Sequence, residues 1–144
     1  MLYRIQYDGC MTIYCCSGFA ARDTETIYTE PDDIFGAAVK DHLCWKPFHP
    51  SIFISLFATK GHAEDWALQW SAGHDGRSCD VFWIEASKLA GSYVFHADKI
   101  RKDLELHVPL EAEASILDEY LIAYSVPERA IVGRQSVEDI QRGE

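Results

Sequence analysis

Three polar residues stand inside segments whose neighbours are apolar. Arg4 lies in the middle of Leu2-Tyr3-Arg4-Ile5-Gln6-Tyr7, and Ser55 lies within Phe53-Ile54-Ser55-Leu56-Phe57. Glu119 opens Glu119-Tyr120-Leu121-Ile122-Ala123-Tyr124-Ser125-Val126. A charge or hydroxyl in an apolar strand is costly unless it finds partners. If the three meet, they bring together a guanidinium, a hydroxyl and a carboxylate. Read singly, each has a plainer explanation. Arg4 would sit on an open strand face, Ser55 would bond to nearby backbone, and Glu119 would flank a strand.

Other chemistry is poorly represented. The chain has no Gly-x-x-x-x-Gly-Lys phosphate loop, Gly-x-Gly-x-x-Gly turn, Gly-x-Ser-x-Gly elbow or His-Glu-x-x-His pair. Its six histidines are dispersed, and His42, Cys44 and His49 are the nearest approach to a metal cluster. Their spacing matches no structural zinc pattern, which wants four ligands. No metal is expected.

The elements that must position the three residues can be read from periodicity. Residues 2–7 alternate apolar and polar and predict a strand. Asp8 to Thr29 is rich in Gly, Ser and Thr and reads mostly as loop, with room for a short strand at Thr12–Cys15. Thr29 can cap a helix that has Pro31 in its first turn, with Ile34, Phe35, Ala38, Val39 and Leu43 as its apolar stripe. Ile52–Phe57 predicts a strand buried on both faces, and Thr59 caps the helix that follows. There Ala63, Trp66, Ala67 and Trp70 fall at i, i+3, i+4 and i+7, the strongest helical signal in the chain. Ser71–Asp80 reads as loop. Val81–Glu85 and Tyr93–His96 read as strands with a turn between them, and Pro109–Leu117 as a short helix. Glu119–Val126 is the longest strand, and Ile131–Gly133 a last short one before a charged tail from about residue 135 that is expected to be mobile. Strands and helices mix without regular alternation, which favours α+β over a doubly wound sheet.

Composition sets the limits. The chain has 144 residues, 48% of them hydrophobic, which suits one domain spanning 1–144 with a core of its own. Asp and Glu number 23 against 13 Lys and Arg, a net charge of −10 that disfavours nucleic-acid partners. No apolar run approaches the roughly 20 residues a bilayer span requires, so no membrane partner is expected. Five cysteines, an odd number without a regular framework, suggest free thiols in a reducing compartment. With no signal peptide visible at the start, a cytoplasmic location is expected.

The three polar segments, in this order, resemble the ADP-ribosyltransferase superfamily, in the branch built on an Arg–Ser–Glu set and found in enterotoxin-type enzymes. Leu2-Tyr3-Arg4 resembles its first-strand Tyr-Arg motif. Phe53-Ile54-Ser55-Leu56-Phe57-Ala58-Thr59, running into Lys60–Ala67, resembles its Ser-Thr-Ser strand and following helix. Glu119–Val126, continued by Pro127-Glu128-Arg129-Ala130-Ile131-Val132-Gly133, resembles the catalytic-glutamate strand and its ending. A nearer likeness is to uncharacterised fungal domains that share the Tyr-Arg, Phe-Ile-Ser and Ala-x-x-Trp-Ala pieces. The resemblance implies two packed antiparallel-rich sheets with flanking helices. It also implies NAD as substrate, with ADP-ribose passing to a protein or small-molecule acceptor or to water. On that reading Glu119 stabilises the cationic ribose, Ser55 orients Glu119, and Arg4 holds the phosphates or ribose. Phe57 and Tyr93 are the aromatic candidates for the nicotinamide, beside Trp83 and Phe95. The chain departs from the family pattern at Leu56 and Phe57, which replace two hydroxyl residues. Leu117 stands where arginine-modifying members carry a carboxylate or amide. A catalytically degenerate interaction module on the same fold is the alternative.

Overall fold

The computed structural model of the chain describes residues 1–28, 33–44 and 50–143. Their order is β1 (Leu2–Tyr7), β2 (Ile13–Cys15), β3 (Gly18–Ala20), α1 (Asp33–Leu43), β4 (Phe53–Phe57), α2 (Lys60–Ala72) and β5 (Cys79–Ile84). There follow β6 (Val94–His96), α3 (Ala97–Asp103), α4 (Leu110–Ile116), β7 (Glu119–Ala123), β8 (Ser125–Pro127), β9 (Ile131–Ser136) and α5 (Val137–Gln141). The class is mixed α+β, as the irregular alternation predicts. A six-stranded sheet runs β6-β7-β4-β1-β5-β9 and a three-stranded sheet runs β2-β3-β8. All the strand pairings in both are antiparallel.

Strand alternation sends side chains to two different cores. Leu2, Ile54, Leu56, Phe82, Ile84 and Ile122 meet Phe19, Ala21 and Val126 around the small sheet. Phe19, 1% exposed, stands edge-on to Phe82 at 5.0 Å. Helices serve the rest of the core. The stripe of α1, Phe35, Val39 and Leu43, packs with Phe53, Leu121, Ile100 and Ile116. The α2 residues Ala63 and Ala67 are buried with Ile5, Phe57 and Val81, while Trp66 and Trp70 remain half-buried and border Tyr7 at 5.6 and 4.8 Å. Among the described residues no helix is long and apolar enough to cross a membrane.

Several elements depart from the sequence reading. The strand expected over 119–126 breaks at Tyr124, whose φ is +70°. There the chain leaves the large sheet as β7 and joins the small one as β8. A left-handed non-glycine residue is costly. This one is held on both sides, with its N–H donating to Ile52 O at 2.7 Å and its carbonyl accepting from Ala21 N at 2.8 Å. Asp8–Thr29, read mostly as loop, carries the hairpin β2–β3, and β3 pairs with β8. Its entry is Gly18, φ +113°, where a Cβ would collide with the carbonyl of Val126 and the backbone of Glu128. The segment Ala97–Asp103, to which the periodicity assigns no element, forms α3.

The charged tail from residue 135 is not structureless. The last strand continues to Ser136, and α5 follows with a capping box in which Asp139 N–H donates to Ser136 Oγ at 3.1 Å and Ser136 N–H to Asp139 Oδ2 at 3.3 Å. Thr59 occupies the N-cap position of α2, but its hydroxyl makes no cap bond. It donates to Asp118 Oδ1 at 2.9 Å instead. The proposed cap at Thr29 with Pro31, and residue His49, lie outside the described residues.

Candidate active site

β1 stays paired with β5 along six residues but meets β4 at a single register pair, Tyr3 with Phe57. Beyond that pair the two strands part. A cavity of about 230 Å³ opens between them, bordered by Arg4, Cys10, His42, Ser55, Phe57 and Trp66 among others. It lies where the helical cover divides, with α1 packed on Phe53 and α2 on Phe57.

The alternation of β4 puts Phe53, Ser55 and Phe57 on this face and Ile54 and Leu56 in the opposite core. The β4–β7 register sets Phe57 beside Glu119 and Ser55 beside Leu121. Glu119 therefore points to the same face as Ser55. The Ser55 hydroxyl donates to Glu119 Oε2 at 2.6 Å. Glu119 is only 4% exposed and does not itself line the cavity; Ser55 stands between them.

Arg4 arrives from the other side of the pleat. Its register partner is Phe82, and its guanidinium lies 6.0 Å from the Phe19 ring. Nη1 donates to the Ser55 carbonyl at 3.1 Å, in the stretch where β1 and β4 have parted. Nε and Nη2 donate to Gln6 Oε1 at 3.2 and 3.1 Å, and Nη2 also approaches Cys10 Sγ at 2.9 Å. Gln6 is held in turn by the carbonyl of Thr12, at 2.7 Å. Among the described residues the hydrogen-bond acceptors of this buried guanidinium are a side-chain amide, a backbone carbonyl and a thiol, with no bonded carboxylate, while Asp41 lines the same cavity. The expected Arg4–Ser55–Glu119 grouping is present, with Arg4 reaching Ser55 through the backbone.

A fourth member escapes the sequence reading. His42 Nε2 lies 2.7 Å from Ser55 Oγ, and its Nδ1 lies 2.8 Å from Ser51 Oγ. With Glu119 ionised, the one proton of Ser55 goes to it, so His42 donates from Nε2 and accepts at Nδ1 from Ser51. A directed chain of hydrogen bonds thus runs Ser51→His42→Ser55→Glu119. Burial, helped by the Arg4 charge, lowers the His42 pKa to about 4 and keeps it neutral. Burial raises Glu119 to about 7, against the opposing pull of the Ser55 bond and the His62 and Arg4 charges. The sequence treats His42 only as a neighbour of Cys44 and His49. The available signal is its place three residues after Val39 and seven after Phe35, at the margin of the α1 stripe.

Phe57 lines the cavity and is buried. Tyr93 does not line this cavity. It is 65% exposed beside β6, at the edge of the large sheet, where its carbonyl accepts from Ala123 N at 3.0 Å. Phe95 packs against Phe35 and Phe53 in the α1 core, and Trp83 lies under Lys60 near α2. Among the described residues no three His, Cys, Asp or Glu side chains cluster closely enough to hold a metal ion. All five cysteines are free, and burial together with Asp80 pushes the Cys79 thiol up to about 12.

No curated protein and no solved structure matches the chain. Residues 1–140 match the family model described as "Domain of unknown function (DUF7587)", and the chain belongs to that family.

Proposed function

We propose that this domain has an ADP-ribosyltransferase-like fold and cleaves the bond between nicotinamide and ribose in NAD, passing ADP-ribose to an acceptor or to water. The observation that carries the proposal is the 2.6 Å bond to the buried Glu119 from Ser55, which lines a cavity together with Arg4. Departure of nicotinamide leaves a cationic ribose resembling that of glycoside hydrolysis. An ionised carboxylate fixed beside it stabilises the charge as it develops. Ser55 holds Glu119 in one orientation, and the His42 bond holds Ser55. Arg4 offers positive charge to a diphosphate or ribose oxygen, and the exposed Arg22 adds a second cation at the cavity wall. Phe57 is the aromatic wall for the nicotinamide ring. Leu117, 64% exposed, gives an acceptor guanidinium no carboxylate to bind.

The test is nicotinamide release from NAD by the wild type and by Glu119→Gln, which keeps shape while removing charge. A loss of about a hundredfold or more is expected. Equal rates would overturn the assignment of Glu119.

One observation favours the alternative of a non-catalytic interaction module. The cavity, at about 230 Å³, is smaller than the range of about 300–1,000 Å³ in which small-molecule sites usually fall. Absence of NAD binding by the folded wild type would select that reading.

A further inference from the structure

A second acid–base pair stands at the start of β7, beside the Glu119 site but outside the chain of bonds that reaches it. His62 Nδ1 lies 2.7 Å from Asp118 Oδ2. The Asp118 carboxylate is itself fixed, since Thr59 Oγ1 donates to its Oδ1 at 2.9 Å and Thr59 N–H to its Oδ2 at 3.3 Å. The imidazole packs on Phe57, with ring centroids 4.7 Å apart. It does not itself line the cavity but lies one helical turn before Trp66, which with Phe57 borders it. Asp118 directly precedes Glu119, and a positive charge formed on His62 would favour the ionised Glu119 carboxyl. The side chains of His62 and Asp118 are 26% and 18% exposed, so the pair is open to solvent while Glu119 is not. His62 Nε2 makes no hydrogen bond to any described residue.

An imidazole tied through one nitrogen to a carboxylate presents a basic lone pair at the other, and the carboxylate stabilises the cation formed when it takes a proton. We infer that the His62–Asp118 pair is the general base for the acceptor, and that the acceptor is a hydroxyl, either water or an alcohol. The inference rests on Glu119 being the NAD-cleaving carboxylate. The electron pair of the breaking C1′–N bond leaves with nicotinamide and neutralises its ring. The acceptor oxygen forms the new bond to C1′ and gives its proton to His62 Nε2, which passes it to solvent. A guanidinium acceptor is excluded on this scheme, because neutral imidazole is far too weak a base for it.

The experiment follows nicotinamide release from NAD by the intact chain, with NAD binding measured separately. His62→Ala and the better packed His62→Gln should lose about a hundredfold in rate with NAD affinity unchanged. Sodium azide, a nucleophile with no proton to give up, should restore turnover in both variants and yield ADP-ribosyl azide. It should not restore Glu119→Gln. Unchanged rates in the His62 variants, or failure of azide to restore them while NAD still binds, would overturn the inference and leave Glu119 standing. An inert wild type would remove the reading of Glu119 and this inference with it. The ring nitrogens give a readout independent of turnover. Neutral His62 should carry its proton on Nδ1 by ¹⁵N NMR, and a proton on Nε2 would overturn the assignment.

Discussion

His42 and Glu119 are joined through one hydroxyl. His42 Nε2 is 2.7 Å and Glu119 Oε2 is 2.6 Å from the same Ser55 oxygen. Their proton affinities are displaced in opposite directions, His42 down to about 4 and Glu119 up to about 7, with burial as the leading cause of both.

That opposition predicts hidden pH dependence. The raised Glu119 pKa favours the fold below about 4.5, and this contribution disappears as pH rises through 7. The lowered His42 pKa favours the fold above 6.5, and this contribution disappears as pH falls through about 4. Each limb amounts to about 3 kcal/mol, and the two nearly cancel between pH 4.5 and 6.5. Urea unfolding of Glu119→Gln should show stability falling on acidification, and His42→Gln should show it falling as the pH is raised. Curves parallel to wild type in both variants would contradict the buried neutral His42 and the buried acid.

Ser55→Ala removes the hydroxyl from the middle of the chain. It leaves the His42 Nε2–H without its acceptor and Glu119 without its donor. A cost of about 1–3 kcal/mol is expected, with loss of NAD turnover. Chemical denaturation and nicotinamide release check the two effects; a neutral substitution would mean that the Ser55 bonds carry no weight.

Phe19 and Trp66 should differ. Phe19 is buried between the sheets, and Phe19→Ala should cost about 3–5 kcal/mol. Trp66 is half-buried against Tyr7, so Trp66→Ala should cost less, about 2 kcal/mol. The order of the two unfolding midpoints is the measurement, and the reverse order would place the main core at α2 instead.

Gly133 lies flat against Trp83, where a Cβ would overlap the indole ring. Gly133→Ala should destabilise by about 1–3 kcal/mol, since the ring must leave its packed position. Trp83 fluorescence and thermal unfolding together report it, and an unchanged melting temperature with unchanged emission would argue against that contact.

The sequence by itself determined the strands and helices whose side chains repeat in a clean period. The alternation over 2–7, the apolar run 53–57 and the Ala63-Trp66-Ala67-Trp70 spacing each mark an element through local burial preference, and each is present. The polar residues at 4, 55 and 119 stand out against that background for the same reason. Tertiary structure alone decided what they face. Ser55 meets Glu119 because β4 and β7 pair in one register, and Arg4 reaches Ser55 because β1 and β4 separate after one pair. Neither pairing leaves a local trace. His42 belongs to the site only because α1 lays its end over β4, and Asp118 holds His62 only because β7 begins where α2 begins. Of the hairpin β2–β3, the first strand was legible as a short strand at Thr12–Cys15, but β3 was not, because it takes its order from pairing with β8, far along the chain. Tyr124 has an ordinary strand residue's composition around it. Its left-handed turn is imposed by hydrogen bonds to Ile52 and Ala21, contacts that exist only once both sheets have formed.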